Sequence, residues 1–337
     1  MSDQAPPGSA PAPREIIAAA IQMEAELGNV PANLAKAERL IEEAFVKGAR
    51  LVIVPEFFTS AVAFHPSLLQ AALPFQGKAL DLLVSQAKKH QGLVGGSFIA
   101  VKKDGERYNT WVLAFPDGSF ATHDKDLPTM WENCYYRGGS DPGILRTPVG
   151  PVGVAMCWEL IRTQTARRLR GQVDLLVGGS CWWTLPEGNL PLPFKPAAAR
   201  RNLEIMRDAP ARMARLLGVP VVHAAHAGRF EGKMPGLPGL KYRSHYLGET
   251  QIVDAGGGML ARLTREQGEG IITAKIRLGR QAPSEEIPAR FWIPKLHPML
   301  KLYWHALNFH GRRYYRRVTQ KSLPPAATGR GRNEEKS

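Results

Sequence analysis

The sequence predicts an α/β fold around a mixed sheet, on three observations. Short apolar runs alternate with amphipathic stretches of helical spacing in the N-terminal part of the chain, the pattern of wound β-α units. A turn at Pro116-Asp117-Gly118-Ser119 then breaks that rhythm, so antiparallel strands join the parallel ones. Two apolar runs, finally, end in chemically capable residues: Leu51-Val52-Ile53-Val54 leads into Pro55-Glu56, and Val152-Gly153-Val154-Ala155-Met156 leads into Cys157. Ligands of open α/β sheets gather at the carboxyl ends of strands, so these two edges are expected to meet.

In chain order, Ile16 to Met23 is expected as the first strand. Asn33 to Lys47 follows as a helix, with Leu34, Ala37, Leu40, Ile41, Ala44 and Phe45 at helical spacing. Val52 to Val54 returns as a strand, Lys78 to His90 repeats the amphipathic helix, and Leu93 to Val101 is a strand again. Tyr108 to Phe115 and Phe120 to Asp124 flank the hairpin turn. After Cys157 come a short helix around Thr163 to Arg170, a strand from Val173 to Val177, a Pro-rich loop to Pro196, a long helix to Leu217 and a strand from Val219 to Ala224. His245 to Asp254 is read as one strand before the glycine turn at Gly256-Gly257-Gly258, and Gly270 to Ile276 as the last.

The chain has 337 residues, 44% hydrophobic and 22% charged, enough to bury a sizeable core, and shows no internal repeat. Residues 1–14, MSDQAPPGSAPAPR, lack the basic and apolar regions of a signal peptide and are expected to be a disordered leader. No apolar run approaches the ~20 residues of a membrane span. Cys134, Cys157 and Cys181 have neither disulfide-framework nor metal-ligand spacing, which suits reduced thiols and a cytoplasmic location. His223 and His226 lack zinc spacing and are expected to be structural. The net charge of +14 is uneven: from Lys295 to Ser337 ten Lys or Arg face two Glu.

Cys157 is a nucleophile only as thiolate, and a nearby base or cation promotes that form. Glu56 is the candidate base, able to take the thiol proton and return it to a departing nitrogen. Lys125, with the backbone N–H of Trp158, is the candidate stabiliser of negative charge on the attacked group. Glu132, seven residues beyond Lys125, is placed to compensate a buried ammonium. Taken singly, a strand-end Cys packs, a Glu after Pro is exposed, and a loop Lys is solvated.

Their joint pattern says more. His123-x-Lys125-x-x-Pro128-Thr129-x-x-Glu132, then Gly138, Asp141 and Gly143, Thr147-Pro148-x-Gly150 and Cys157-Trp158-Glu159 together resemble the nitrilase superfamily of carbon–nitrogen hydrolases. Pro55-Glu56 and Gly248-x-Thr250-x-Ile252-Val253-Asp254-x-x-Gly257 extend the resemblance from about Ile16 to Ile276. It implies a four-layer α-β-β-α sandwich over a catalytic domain of residues 15–290. Glu56, Lys125 and Cys157 become the triad and Glu132 the frequent fourth member. A homodimer or higher homo-oligomer is implied, and no cofactor or metal. The substrate implied is a small nitrile or amide, hydrolysed to carboxylate and ammonia through a Cys157 thioester.

The Lys-x-x-Pro-Thr-x-x-Glu and Cys-Trp-Glu spellings are similar to the nitrilase branch. Leu160-Ile161-Arg162-Thr163 departs from the residues that typically follow in nitrilases, and Ser180-Cys181-Trp182-Trp183 is closer to amidase-like members, so an amidase or N-carbamoyl amide hydrolase is the alternative. Trp158, Trp182 and Trp183, with Trp131 nearby in sequence, are candidate walls of an acyl pocket. Tyr135, Tyr136, Cys134 and Cys181 are read as packing residues. The insertion Thr184 to Pro196 is a candidate lid. Residues 291–337 form a basic, aromatic arm ending in a disordered tail from Pro324. Its aromatics are expected to pack on a neighbouring subunit. Its 295–321 stretch is also a candidate for an anionic membrane surface or nucleic acid, so a non-catalytic binding protein acting through the arm is the reading of another class.

Overall fold

The computed structural model describes residues 15–187, 195–234 and 237–322. The leader, the tail from Pro324 and the middle of the Thr184–Pro196 insertion lie outside the described residues.

Fifteen strands and five α-helices are described. They run β1 (Glu15–Met23), α1 (Val30–Val46), β2 (Leu51–Ile53), β3 (Leu73–Pro74), α2 (Lys78–His90), β4 (Leu93–Val101), β5 (Arg107–Ala114), β6 (Phe120–Asp124), β7 (Ile144–Thr147) and β8 (Gly150–Val154). There follow α3 (Thr163–Leu169), β9 (Leu175–Ser180), α4 (Lys195–Leu217), β10 (Val221–His226), β11 (Arg229–Met234), β12 (Leu237–His245), β13 (Gly248–Val253), β14 (Met259–Thr264), β15 (Gly270–Arg277) and α5 (Pro298–Tyr314). The helix and strand periodicities locate α2, β4 and β6 to the residue.

The strands form two half-sheets, β6-β5-β4-β2-β1-β15 and β7-β8-β9-β10-β13-β14. Among the described residues they are joined only where the ends of β1 and β10 pair, Gln22 with Ala225 and Met23 with His226. The two halves therefore turn their faces toward each other. Alternation along each strand sorts side chains between the layers. Ala18 and Ala20 of β1 meet Val154, Val177, Val222 and Ile252 in the space between the sheets. Ala19 and Ile21 point the other way, onto Ala37, Ile41 and Leu83 of α1 and α2. On the far side Leu176, Val221 and Ala225 pack with Ala166, Met206 and Met213 of α3 and α4. Three apolar layers between four layers of secondary structure make the α-β-β-α sandwich.

One strand expectation needs correction. His245 to Asp254 is two strands: β12 pairs with β11 in a separate hairpin, whereas β13 joins β10. The break comes at Tyr246, whose ring stacks on Phe230 at 4.5 Å and whose hydroxyl donates to Val62 O, followed by positive φ at Gly248 and Glu249. The arm is the second correction. Three of its aromatics pack on their own chain rather than on a neighbouring subunit: Trp292, Trp304 and Tyr315 are buried, and Arg107 N donates to Tyr315 Oη across 3.1 Å, whereas Tyr303 and Phe309 stay exposed. Gly311 of α5 lies so close to Asn133 that a β-carbon would crowd it.

The glycine pair Gly178-Gly179 in β9 is what lets the two chemical edges approach. A β-carbon on Gly178 would overlap Ala155 O, and one on Gly179 would overlap the amide nitrogen of Glu56. Gly179→Ala is therefore expected to cost at least about 1–3 kcal/mol as overpacking, read as a fall in thermal unfolding temperature. Gly239→Ala, which meets open space, should unfold like the parent protein; equal melting of the two variants would refute the close-approach argument.

Candidate active site

Four segments deliver the four candidate residues to one point. Glu56 follows β2, Lys125 follows β6, Glu132 sits in a 3-10 turn over Met130–Cys134, and Cys157 opens a 3-10 turn over Cys157–Ile161 directly after β8. All four are fully buried. Lys125 Nζ donates to Glu56 Oε1 at 2.9 Å and to Glu132 Oε2 at 2.8 Å. Its ammonium also lies 5.9 Å from the centre of the Phe57 ring. The structure thus brings together all of the catalytic candidates that the sequence indicates.

Burial disfavours charge on each group, and their mutual attraction decides the outcome. Loss of water pushes the Glu56 carboxyl up to about 7; Lys125 pulls it down and Glu132 pushes it further up. Only donors surround its oxygens. Asn109 Nδ2 donates to Oε1 at 2.8 Å and the backbone N–H of Cys181 to Oε2 at 3.0 Å. Burial alone would lower Lys125, but Glu132 and Glu56 outweigh it and hold the ammonium well above the ordinary lysine value. The Cys157 thiol is held well above the usual range by burial, reinforced by Glu56 and opposed by Lys125. The resting site therefore pairs a protonated thiol with a base poised near neutrality and a permanent cation.

Backbone strain concentrates here. Cys157 has φ 50°, Phe57, after Glu56, has φ 55°, and Met130, two before Glu132, has φ 54°. Each costs on the order of 1–3 kcal/mol and must be held by its surroundings. In the turn at Cys157 the N–H groups of the first residues have no partner within the turn, which leaves those of Cys157 and Trp158 available to a ligand.

What holds the Cys157 turn is a second buried charge cluster. Glu159 accepts from Met156 N at 2.9 Å and from Asp126 N at 3.1 Å, so it binds the cysteine segment to the lysine segment. His123 bridges Glu159 at 3.3 Å and Asp141 at 2.5 Å; Arg168 reaches both Glu159 and Asp126, and Arg162 lies 2.5 Å from Asp126. Burial would lower His123, but Glu159 and Asp141 raise it to about 9.

Several contributors were not assigned roles by sequence reasoning. Tyr136, read as packing, donates its hydroxyl to Glu132 Oε2. Cys181, also read as packing, supplies the N–H on Glu56. Asn109 lies inside β5 with no local signal. His226 is structural as expected, and its Nε2 lies 2.9 Å from Glu56 O. His123 and Glu159 stood in the motif without a function. Tyr135 is a packing residue, its hydroxyl donating to His65 O. Among the described residues no cluster of three or more His, Cys, Asp or Glu is arranged to hold a metal ion.

The tryptophans divide. Trp158 and Trp182 are buried with ring centres 5.7 Å apart. Trp158 also stacks flat on Trp304 of α5 at 5.3 Å and meets Trp292 edge-on at 5.4 Å, so the arm supplies half of a four-indole cluster beside Cys157. Trp183 is half-buried and pairs instead with Trp131 at 4.6 Å. The segment 290–293 reaches the cluster by running along the Cys157 turn, with Ile293 N donating to Ile161 O and Thr163 N to Phe291 O.

A raised histidine stabilises the fold through its protonated form. That stabilisation is complete below about 6.5, the value of an unperturbed histidine, and is lost as pH rises through about 9. Chemical unfolding at these two ends should differ by up to about 3 kcal/mol in the parent protein and by much less in His123→Gln. Identical pH slopes would remove His123 from the account.

Comparison with known proteins bears on the family and the fold. The pattern of the carbon-nitrogen hydrolase family matches residues 17–284. Nitrilase 3 of Arabidopsis thaliana is 33% identical over 162 residues, covering 41% of this chain and 46% of the relative. N-carbamoylputrescine amidase of the same plant is 25% identical over 166 residues, covering 46% and 55%. The chain thus spans about half the length of the curated relatives it matches. Among solved structures, a carbon-nitrogen hydrolase from Helicobacter pylori superposes with a TM-score of 0.65 at 21% identity, covering 78% of this chain and 89% of that one. An amidase of the nitrilase superfamily from Nesterenkonia shares the fold at TM-score 0.57 and 18% identity, covering 77% and 90%. On the extent of the family match, the chain belongs to the carbon–nitrogen hydrolase family.

Proposed function

We propose that the protein is a thiol hydrolase of small molecules, cleaving a non-peptide carbon–nitrogen bond of a nitrile or amide. The observation that carries this reading is the buried Glu56–Lys125–Glu132 ion cluster around a protonated Cys157. Glu56 takes the thiol proton as the sulfur attacks the nitrile or carbonyl carbon. Lys125 and the N–H of Trp158 receive the negative charge that develops on the attacked group. Glu56 returns its proton to the nitrogen, which leaves as ammonia, with water supplying the remaining atoms in the nitrile case. A Cys157 thioester is left. Glu56 then takes a proton from a water (the first consumed in the amide case, the second in the nitrile case), which attacks the thioester; the Cys157 sulfur leaves with that proton and the carboxylate is released.

Glu132 serves as the second counter-ion that keeps Lys125 charged and aimed. Its Oε1 is buried without a protein partner among the described residues, which suits it to receive an N–H of the substrate. Trp158 and Trp182 favour an apolar or aromatic acyl group, with Trp183 set further out. Because none of the four reactive side chains is exposed, substrate entry requires the surrounding segments to open, and the same enclosure excludes bulk water from the thioester.

The test is ammonia release across a panel of aromatic and aliphatic nitriles, primary amides and N-carbamoyl compounds. Release from nitriles, abolished in Cys157→Ala, supports the nitrile reading; release from amides or carbamoyl compounds alone moves the protein to the amidase side, where its likeness to N-carbamoylputrescine amidase points. No release from any class would refute the hydrolase reading for these substrates.

The proton role of Glu56 has its own signature. Because the base must be ionised, kcat/KM should rise with pH through about 7. Glu56→Gln should lower kcat by roughly two orders of magnitude or more, and a variant retaining full activity would exclude Glu56 as the base.

A further inference from the structure

We propose that the outward face of α5 is a docking surface for a bilayer containing anionic lipid, with the cleft beside the start of the helix taking a lipid headgroup. This inference is independent of the catalytic reading. The inner side of α5 is fixed to the protein through Trp304, Gly311 and then Tyr315, all buried. The outer side carries a row of apolar side chains, with His310 and Arg313 exposed among them. Met299, Leu302, Tyr303 and Phe309, spaced three, four and seven residues apart on one helical face, are 51–62% exposed. A helix held rigidly on one side and apolar on the other presents its side chains to a partner rather than to water.

The charges around that stripe say which partner. Lys301, His305, Arg312 and Arg316 follow one flank of the helix, and Arg313 lies over the Phe309 ring with Arg317 beyond it. From residue 288 to residue 322 the sequence contains no Asp or Glu. A cleft of about 600 Å³ opens between the 290–296 segment and the first turns of α5, lined by Arg290, Trp292, Lys295, Lys301, Trp304 and His305. No acidic residue contributes to its lining. Arg290 is engaged by the carbonyls of Trp292 and Ile293, whereas the ammonium groups of Lys295 and Lys301 have no partner among the described residues.

Apolar side chains flanked by unpaired cations match the boundary of a bilayer, where the former enter the acyl region and the latter meet phosphate. A second copy of the chain fits poorly, because the same face would bring two positively charged arms together. Nucleic acid would use the cations but leave Met299 and Leu302 without a role. No helix among the described residues is long and apolar enough to cross a membrane, so the contact is peripheral.

The test is flotation of the full chain with vesicles of phosphatidylcholine alone or mixed with phosphatidylglycerol. The protein should float with the mixed vesicles, stay behind with the neutral ones, and be released at about 0.5 M salt as surface charge is screened. Leu302→Asp and Phe309→Asp, at exposed positions, should melt like the parent protein and cut the bound fraction roughly tenfold. Lys295→Glu with Lys301→Glu should abolish the preference for anionic vesicles. Equal flotation of parent and Asp variants would overturn the proposal. So would a change in sedimentation of the Asp variants without vesicles, which would assign the face to self-association. Displacement of the parent from vesicles by single-stranded RNA, with the Asp variants binding RNA unchanged, would assign the cations to nucleic acid and equally overturn it.

Discussion

The ammonium of Lys125 carries its charge with no access to water, and two carboxylates from different parts of the chain are what make that tolerable. Removing one partner of a buried ion pair ordinarily costs about 3–5 kcal/mol, so the positions of Glu56 and Glu132 are not independent choices. Each carboxylate has in turn its own donors, Asn109 and the Cys181 N–H for one, Tyr136 and the Thr129 N–H for the other. The cluster carries a net negative charge beside Cys157 when both carboxylates are ionised. That charge, added to burial, is why the Cys157 thiol is held well above its ordinary value.

Holding such a cluster requires the backbone to go where it would not go unaided. The left-handed φ values at Phe57, Met130 and Cys157 lie at or within two residues of Glu56, Glu132 and Cys157, and those at Cys157 and Phe57 are each opposed by a specific device. At Cys157 it is the Glu159 carboxylate, gripping Met156 and Asp126 with His123 and two arginines behind it. At Phe57 it is Ser97, whose hydroxyl accepts the Phe57 N–H at 3.2 Å. Gly178 and Gly179 of β9 lack the side chains that would hold β9 away from the segments following β8 and β2. The four-layer sandwich thus serves as a rigid frame that offsets local strain with packing elsewhere.

The arm lies beyond the stretch that matches the family pattern, yet it is continuous with the site. Trp292 and Trp304 complete the indole cluster on Trp158, and α5 sits on the turn that carries Glu132, with Asn133 Nδ2 donating to Asn308 Oδ1 at 3.0 Å. One helix therefore has two apolar sides, one spent on the site and the other turned outward. A displacement of α5 at its outer face would be felt at the turn carrying Glu132 and at Trp158.

The helix and strand periods that place α1, α2, β4 and β6, and the motif that gathers Glu56, Lys125, Glu132 and Cys157, were legible in the sequence because they rest on local spacing or on residue types at fixed offsets. The short β7, half-exposed β14 and the β11–β12 hairpin were not, since brief or two-sided strands leave no clean alternation. Nor was α5, whose apolar residues on both faces blur the amphipathic signal. The donors to Glu56 come from residues 53 and 125 positions away, and Arg107 meets Tyr315 across 208. Contacts of that separation follow from how layers stack, not from neighbours along the chain. Local spacing and residue types were enough to read the sandwich's elements and the candidate reactive groups; which neutral residues orient them, where the strain is held and that the basic arm packs beside the site followed from how the layers stack.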